Sequence, residues 1–251
     1  MSSGEAVDAA TLASASTQLR LDILGGFSVR AADRTVHLPR TAQRLLAFVA
    51  IQRRPVRRDQ VAFTLWPDGS EAHAHGSLRT ALFELRRPGH DLLRIVDGDA
   101  SLAPDVVVDL ERMLSVVDVI RAHDGQGTLP AVERDLLEAD LLPGWYDDWL
   151  VAPQERHREL RILTLERLCR AELDAGRYAE AVSTGAAAVR ADPTRDSSTR
   201  LTIAAHLATG NAAQAIVLYR RLEDHLRELG LVPSPRTTAL IASIAGTLTL
   251  A

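Results

Sequence analysis

The sequence predicts a mainly α protein in two parts, an α+β part over residues 19–108 and an all-α part over residues 109–251. Two observations support this fold class. Short alternating strands, three amphipathic helices and a hairpin follow one another up to residue 108, and only helical periodicity follows after it. A chain of 251 residues is also long enough for two domains.

The first 18 residues, MSSGEAVDAATLASASTQ, are small, polar and slightly acidic. They lack the basic and apolar segments of a signal peptide, so we expect a flexible tail over residues 1–18. No apolar run is long enough for a transmembrane helix. The single cysteine, Cys169, excludes an internal disulfide and indicates a cytoplasmic protein, and its apolar helical surroundings predict a buried structural thiol.

Residues 19–39 alternate in polarity and contain Gly25 and Gly26, which predicts short antiparallel strands. The periodicity then becomes helical. TAQRLLAFVAIQRR predicts a first helix with Thr41 as its N-cap, RRDQVAFTLWP a second, and DGSEAHAHGSLRTALFELRRPG a third that ends at Pro88-Gly89. The residues expected to face inward are Ala42, Leu45, Leu46 and Val49 in the first helix, Val61, Ala62 and Leu65 in the second, and Ala74, Leu78, Leu82 and Leu85 in the third.

The segment LLRIVDGDASLAP predicts a tight hairpin, because Asp97-Gly98 between β-prone residues favours a primed two-residue turn. Strands, three helices and a hairpin in this order are typical of a winged helix-turn-helix. In that fold the third helix enters the major groove of DNA and the hairpin, or wing, lies along the backbone.

The charge distribution agrees with this interpretation, although the net charge of −4 does not advertise nucleic-acid binding. All 29 basic residues are arginine. Residues 19–108 carry a net charge of +3 and residues 109–251 a net charge of −5, and residues 40–58 contain six arginines and no acidic residue. A mildly basic part is therefore followed by an acidic one.

The second part contains an internal repeat. AGRYAEAV begins at Ala175 and TGNAAQAI at Thr209, so that Gly176 and Gly210 lie 34 residues apart, as do Ala181 and Ala215. This period is that of tetratricopeptide repeats, which pair antiparallel helices. Because two repeats are fewer than the usual three, helices within residues 109–145 are expected to complete the stack.

These motifs together resemble the SARP family of actinobacterial activators. The resemblance covers residues 19–245 and rests on SLRTALFELRR, VVVDLERM, GWYDDWLVAPQERHREL, AGRYAEAV and LYRRLEDHLRELGLVPSP. The family joins an OmpR-type winged helix to a tetratricopeptide-like bacterial transcriptional activator domain, and this chain is similar to its small, single-unit members. The resemblance implies binding to direct repeats in promoter DNA, contact with RNA polymerase, and activation of a biosynthetic gene cluster. A homodimer is also possible.

On a helical wheel of the third helix, Thr80, Glu84 and Arg87 lie opposite the apolar stripe, and Arg79 flanks the stripe. These four residues, Arg79, Thr80, Glu84 and Arg87, are the candidates for reading bases. An arginine can grip guanine with two hydrogen bonds, and threonine can meet a thymine methyl. Glu84 departs from the family pattern, where a polar or basic residue is usual. It could accept from a cytosine amino group, pair with Arg87 or Arg79, or repel phosphate. The alternative for the whole face is a solvated polar surface.

Seven other arginines of the first part are candidates for phosphate contacts, which position a protein on DNA without specifying sequence. They are Arg44, Arg53, Arg54, Arg57, Arg58, Arg86 and Arg94. Each could equally be a solvated surface charge.

Other signals do not point to chemistry. His73 and His75 are two residues apart on a helix and therefore do not face each other, so we expect no metal site. Trp145 and Trp149 are interpreted as packing residues, with a small-molecule pocket as the alternative. No catalytic or cofactor motif is discernible, so no enzyme and no cofactor are expected. The main alternative to a DNA-binding activator is a protein-interaction adaptor with a degenerate winged helix.

Overall fold

The computed structural model describes residues 19–32, 34–86, 91–123 and 131–248, with side chains up to residue 243. The predicted flexible tail, residues 1–18, lies outside the described residues. The chain divides into two compact units. The first comprises Met1–Arg112 together with Ala139–Glu155, and the second comprises Met113–Glu138 together with Arg156–Ala251. The predicted domain boundary after residue 108 stays a prediction. Residues 139–155 contact the first unit and belong to it, although they follow that boundary in the sequence.

The first unit opens with a four-stranded sheet in the order β3-β2-β1-β7. Its strands are β1 (Leu19–Asp22), β2 (Ser28–Ala31), β3 (Arg34–Thr35) and β7 (Val106–Val108). The first three are antiparallel, as predicted, because short turns connect them. β1 also pairs in parallel with β7, with Leu19 opposite Val106, which places the end of the winged-helix segment beside its beginning.

Asp109 fastens this parallel pair. Its buried carboxylate accepts hydrogen bonds from the backbone N–H groups of Ile23 (3.0 Å), Leu24 (2.8 Å) and Leu110 (2.8 Å). Burial raises the pKa of Asp109 above its usual value, although these backbone hydrogen bonds act in the opposite direction. The carboxylate therefore satisfies N–H groups where β1 ends, a point at which the sheet offers them no strand partner.

Three helices follow the first three strands in the predicted order: α1 (Arg40–Gln52), α2 (Arg58–Leu65) and α3 (Glu71–Leu85). All the residues expected to face inward are buried except Leu82, which is half-buried, whereas Ala81 is buried. Thr41 is not the N-cap of α1. The helix begins at Arg40 after Pro39, which makes no side-chain capping bond, and the Thr41 hydroxyl bonds elsewhere.

The predicted hairpin is confirmed as β5 (Leu93–Val96) and β6 (Asp99–Leu102). Both turn residues lie in the left-handed region, Asp97 at a φ of 51° and Gly98 at 85°, as a type I′ turn requires. The short strand β4 (Val56–Arg57) pairs with β6, so the link between α1 and α2 is fixed to the wing in a three-stranded sheet.

Residues 139–155, here called the return segment, come back to the first unit after the chain has left it. The backbone N–H of Leu142 donates to the carbonyl of Ile23 at 2.8 Å. Trp145 stacks on Phe27 with ring centroids 5.7 Å apart, and Trp149 meets Phe48 edge-on at 5.4 Å. The two tryptophans thus pack within the first unit.

The described residues of the second unit form helices joined by turns and loops, without a strand. In chain order its helices are α4 (Asp109–Ala122), α5 (Asp135–Glu138), α6 (Asp148–Asp174), α7 (Tyr178–Ala191), α8 (Asp196–Ala208), α9 (Ala212–Glu228) and α10 (Pro235–Leu248). Helices α4 and α6 both begin in the first unit. No helix of the described part is long and apolar enough to cross a membrane.

The 34-residue repeat is visible in the backbone. Gly176 ends α6 at a φ of 71° and Gly210 ends α8 at 76°, a conformation that costs glycine little. Each glycine N–H donates to a carbonyl three residues back at 3.0 Å, and the next N–H donates five residues back at 2.8 Å. The two repeats therefore end their first helices with the same capping motif.

Close packing between α7 and α8 depends on Gly185. A Cβ at this position would lie 2.5 Å from Thr202 Oγ1 and 3.2 Å from the Thr202 backbone.

Cys169 is a buried thiol of the second unit, and it donates a hydrogen bond to the Ala181 carbonyl at 3.2 Å. Burial raises the pKa of Cys169 to about 12, so the thiol stays protonated and unreactive at neutral pH, as expected of a structural thiol.

Asp196 connects the start of α8 to the start of α10. Its carboxylate accepts from the Ser234 backbone and hydroxyl, both at 2.8 Å, from the Thr237 hydroxyl at 2.6 Å, and from Arg200 at 3.0 Å. Burial alone would raise the pKa of Asp196, but these hydrogen bonds outweigh it and hold the pKa below its usual value. The serine of the Pro-Ser-Pro motif, Ser234, thus serves as a hydrogen-bond donor to the Asp196 carboxylate.

Candidate nucleic-acid interface

Helices α2 and α3 form the helix-turn-helix of the first unit. The Ser70 hydroxyl caps α3 by accepting a hydrogen bond from the His73 backbone N–H at 3.3 Å. The apolar stripe of α3 is buried, and a set of outward side chains lies opposite it. We call this set the exposed face of α3, and it consists of Ala72, Arg79, Thr80, Phe83 and Arg86.

Two of the four residues predicted to read bases lie on the exposed face of α3. Arg79 and Thr80 are both exposed. The Thr80 hydroxyl donates back to the Gly76 carbonyl at 3.2 Å, which leaves its oxygen as an acceptor and its methyl as an apolar group. Arg87 lies outside the described residues.

Glu84, the fourth residue, is half-buried and has a partner that the sequence reasoning did not consider. Its carboxylate accepts a hydrogen bond from the Thr41 hydroxyl of α1 at 2.6 Å. This contact draws the side chain towards α1 and away from the exposed face of α3. The Thr41 hydroxyl, 43 residues earlier in the chain, thus hydrogen-bonds this carboxylate, whereas the pairing of Glu84 with Arg79, Arg87 or a cytosine amino group stays a prediction.

The predicted phosphate contacts fall into two groups. Arg53, Arg54, Arg57, Arg86 and Arg94 are exposed, and Arg58 is half-buried. Several of them are positioned by backbone structure. Arg53 ends α1 in the left-handed region at a φ of 54°, and Arg57 pairs with Asp99 of the wing through β4. These arginines remain predicted phosphate ligands.

Arg44 forms the second group by itself, because its guanidinium is already engaged. It forms an ion pair with Asp147 of the return segment at 2.7 Å and donates to the Leu65 carbonyl at 2.8 Å. Its side chain is only 22% exposed. We therefore replace the phosphate role predicted for Arg44 with a positioning role that joins α1, the end of α2 and the return segment.

Arg40 adds to this support and was missed by the sequence reasoning. Its guanidinium lies over the Trp145 ring at 3.5 Å and reaches Asp147 at 3.4 Å. No spacing in the sequence indicates these contacts, since Arg40 and Asp147 are 107 residues apart. Phe83, also missed, could have been found from its spacing of three residues from Thr80, which places both on one side of a helix.

Concave surfaces occur in both units. A cleft of about 430 Å³ in the first unit is lined by Arg44, Trp66, Tyr146 and Trp149 among others, and a concavity of about 600 Å³ lies along α3 beside Arg79 and Thr80. A groove of about 700 Å³ in the second unit runs between α4, α6 and α8. The part of the chain that the structure describes contains no group of three histidine, cysteine or acidic side chains that could hold a metal ion.

A winged helix-turn-helix with an exposed third helix, joined to helical repeats, defines a class of transcriptional regulators. Residues 108–245 match the profile of the bacterial transcriptional activator domain. The chain belongs to the SARP family of regulators that carry this domain. The fold class and the family resemblance predicted from the sequence are thereby confirmed.

Two known proteins illustrate what the chain is similar to. Regulatory protein AfsR of Streptomyces coelicolor is 27% identical over 236 residues, which are 86% of this chain and 23% of AfsR. The structure of Mycobacterium tuberculosis EmbR in complex with a low affinity phosphopeptide has a TM-score of 0.65 and 22% identity, covering 92% of this chain and 66% of EmbR. The chain thus spans less than a quarter of AfsR and about two thirds of EmbR.

Proposed function

We propose that this protein is a sequence-specific DNA-binding transcriptional activator. The observation that supports this function most directly is the exposed face of α3, which presents Arg79 and Thr80 from a helix whose opposite side is buried. In a helix-turn-helix, this is the surface that lies in the major groove. The wing, with exposed Arg94, lies along the adjacent backbone.

The arginines have two proposed roles, base reading and phosphate binding, which depend on their position and exposure. Arg79, together with Arg87, reads base edges, because an arginine can donate two hydrogen bonds to guanine. The exposed arginines Arg53, Arg54, Arg57, Arg86 and Arg94, with the half-buried Arg58, bind phosphate and set the register on the duplex. Glu84, held by Thr41, limits binding to random sequence through its negative charge.

The second unit supplies contacts with other proteins. Membership of the SARP family supports binding to direct repeats in promoters, which requires two copies of the chain along the DNA. It also supports recruitment of RNA polymerase and activation of a biosynthetic gene cluster. In this proposal the second unit makes the dimer contacts, the polymerase contacts or both.

The test begins with footprinting of the full chain on the DNA that flanks its own gene. The protected promoter and a scrambled duplex are then titrated by fluorescence anisotropy at several salt concentrations. We expect log K to fall with log[salt] by about 0.9 for each phosphate contact, and promoter DNA to bind at least about 10³-fold more tightly than scrambled DNA. A flat salt dependence with equal affinities would contradict DNA recognition and favour the adaptor.

Activation is tested separately by transcription in vitro from the footprinted promoter with purified polymerase. We expect more transcript when the full chain is added and no change on a promoter with a scrambled site. Less transcript from the intact promoter would show that the protein represses its target.

A further inference from the structure

We propose that Phe83 is a specificity-determining residue that recognises thymine through its C5 methyl group. The inference rests on the proposed function and adds to it a base and a chemical contact. It begins from the exposure of the side chain: Phe83 lies on α3 with 78% of its surface accessible. A ring this exposed leaves apolar surface in water, and covering that surface with an apolar partner would be favourable.

The described residues of the first unit leave most of this ring uncovered. Phe63, the other exposed aromatic residue of the helix-turn-helix, is 47% exposed and packs edge-on against His75 with ring centroids 5.6 Å apart. Among the described residues, no ring or guanidinium lies against Phe83 in the same way. Phe83 is therefore a free apolar group on an otherwise polar surface.

The position of Phe83 on the helix places it among the base-reading residues. It is three residues after Thr80, four after Arg79 and three before Arg86, so its Cβ shares their side of α3. Its neighbour in sequence, Glu84, is drawn aside by the Thr41 hydroxyl. The ring, rather than the carboxylate, is thus the group that α3 offers at this point of its exposed face.

The major groove has one prominent apolar feature, the C5 methyl of thymine, since the other edges present hydrogen-bond donors and acceptors. A phenylalanine ring has no polar atom with which to satisfy those edges. Placed over guanine, adenine or cytosine it would displace water from groups that it cannot bond, whereas over thymine it covers a methyl. Insertion between base steps is a minor-groove device and does not suit a helix in the major groove.

The experiment uses the full chain and its footprinted promoter duplex. Each thymine in the protected site is replaced in turn by deoxyuridine, which removes only the methyl group. For the unaltered protein we expect a loss of affinity of about three- to tenfold at one or two positions. For Phe83→Ala we expect lower affinity for the thymine duplex and equal affinity for the thymine and deoxyuridine duplexes at those positions.

Two further variants keep the result interpretable. Phe63→Ala removes an exposed ring from the neighbouring helix and should leave the sensitivity to deoxyuridine unchanged. Phe83→Leu keeps an apolar side chain and should retain part of the sensitivity to deoxyuridine. Thermal melts of all variants show whether the fold is retained.

The inference is overturned if Phe83→Ala, still folded, discriminates between thymine and deoxyuridine as well as the unaltered protein does. It is also overturned if the unaltered protein distinguishes its promoter from scrambled DNA but is indifferent to every deoxyuridine. That outcome leaves the proposed function in place, and the ring would then serve as a contact with another protein. Failure to distinguish promoter from scrambled DNA at all would refute the proposed function as well.

Discussion

Arg44 and Arg57 lie in the same arginine-rich stretch, and replacing each with alanine should produce opposite results. Arg44 would lose its 2.7 Å ion pair with Asp147 and its 2.8 Å hydrogen bond to the Leu65 carbonyl. Because both acceptors are partly buried, we expect a cost of about 1.5–3 kcal/mol in the free energy of unfolding. For a unit of about 130 residues this corresponds to a fall in Tm of about 5–10 °C.

Arg57 is exposed, and its side chain forms no ion pair with another side chain among the described residues. Arg57→Ala should leave Tm unchanged within about 2 °C, the scatter expected for surface substitutions. If Arg57 binds phosphate, the variant should instead reduce the slope of log K against log[salt] by about 0.9. Differential scanning calorimetry measures the first quantity and fluorescence anisotropy on promoter and scrambled duplexes measures the second.

The two variants are each other's controls, provided that binding is measured well below the Tm of Arg44→Ala. The reasoning would be refuted if Arg44→Ala lowered the salt slope by about one unit with an unchanged Tm. It would be refuted equally if Arg57→Ala destabilised the fold and left the slope as it was.

Three further substitutions test other parts of the molecule. Gly185→Ala should lower Tm by about 4–12 °C, because overpacking against Thr202 costs about 1–3 kcal/mol. Ser183→Ala, on the exposed side of the same helix, should leave Tm unchanged. If both variants had the same Tm, α7 and α8 would be able to separate without cost. Asp196→Asn should destabilise the protein by about 1–3 kcal/mol at neutral pH. Because the folded-state pKa of Asp196 lies below its usual value of 3.8, this difference should shrink in urea titrations as the pH falls below that value, and a constant difference would argue against the linkage. Glu84→Gln keeps an acceptor for the Thr41 hydroxyl and removes a charge near the DNA. Affinity for random duplex should therefore rise about two- to fivefold, and the ratio of promoter affinity to random-duplex affinity should fall. An unchanged ratio would place Glu84 away from the bases.

Local patterns predicted most of the first unit correctly. The three helices, their buried residues and the wing follow from spacing and turn chemistry within a few residues, as the Asp97-Gly98 turn illustrates. The 34-residue repeat likewise predicted the paired helices of the second unit, because identical spacing imposes identical caps at Gly176 and Gly210. These features depend on residues that are close together in the sequence.

Contacts between distant residues were not predictable in the same way. The parallel pairing of β1 with β7 joins strands more than 80 residues apart, and the Thr41–Glu84 bond joins side chains that no periodicity relates. Arg44 illustrates the difficulty, because an arginine in a basic stretch has the same sequence signature whether it faces phosphate or a carboxylate that lies more than 100 residues later in the chain. Exposure and partners separate the two cases, and a single sequence reveals neither.

The return segment also affects the order in which the protein can fold during synthesis. Arg40 and Asp147 are 107 residues apart, and at about 5–20 residues per second the ribosome needs about 5–20 s to make that stretch. Until then the helices that carry the predicted DNA-reading residues lack the carboxylate and the tryptophan that support α1. A gene fusion joined after residue 108 would remove residues 139–155 from the winged helix altogether. We therefore expect a chimera with a foreign helical domain to keep a stable winged helix only if it retains the return segment.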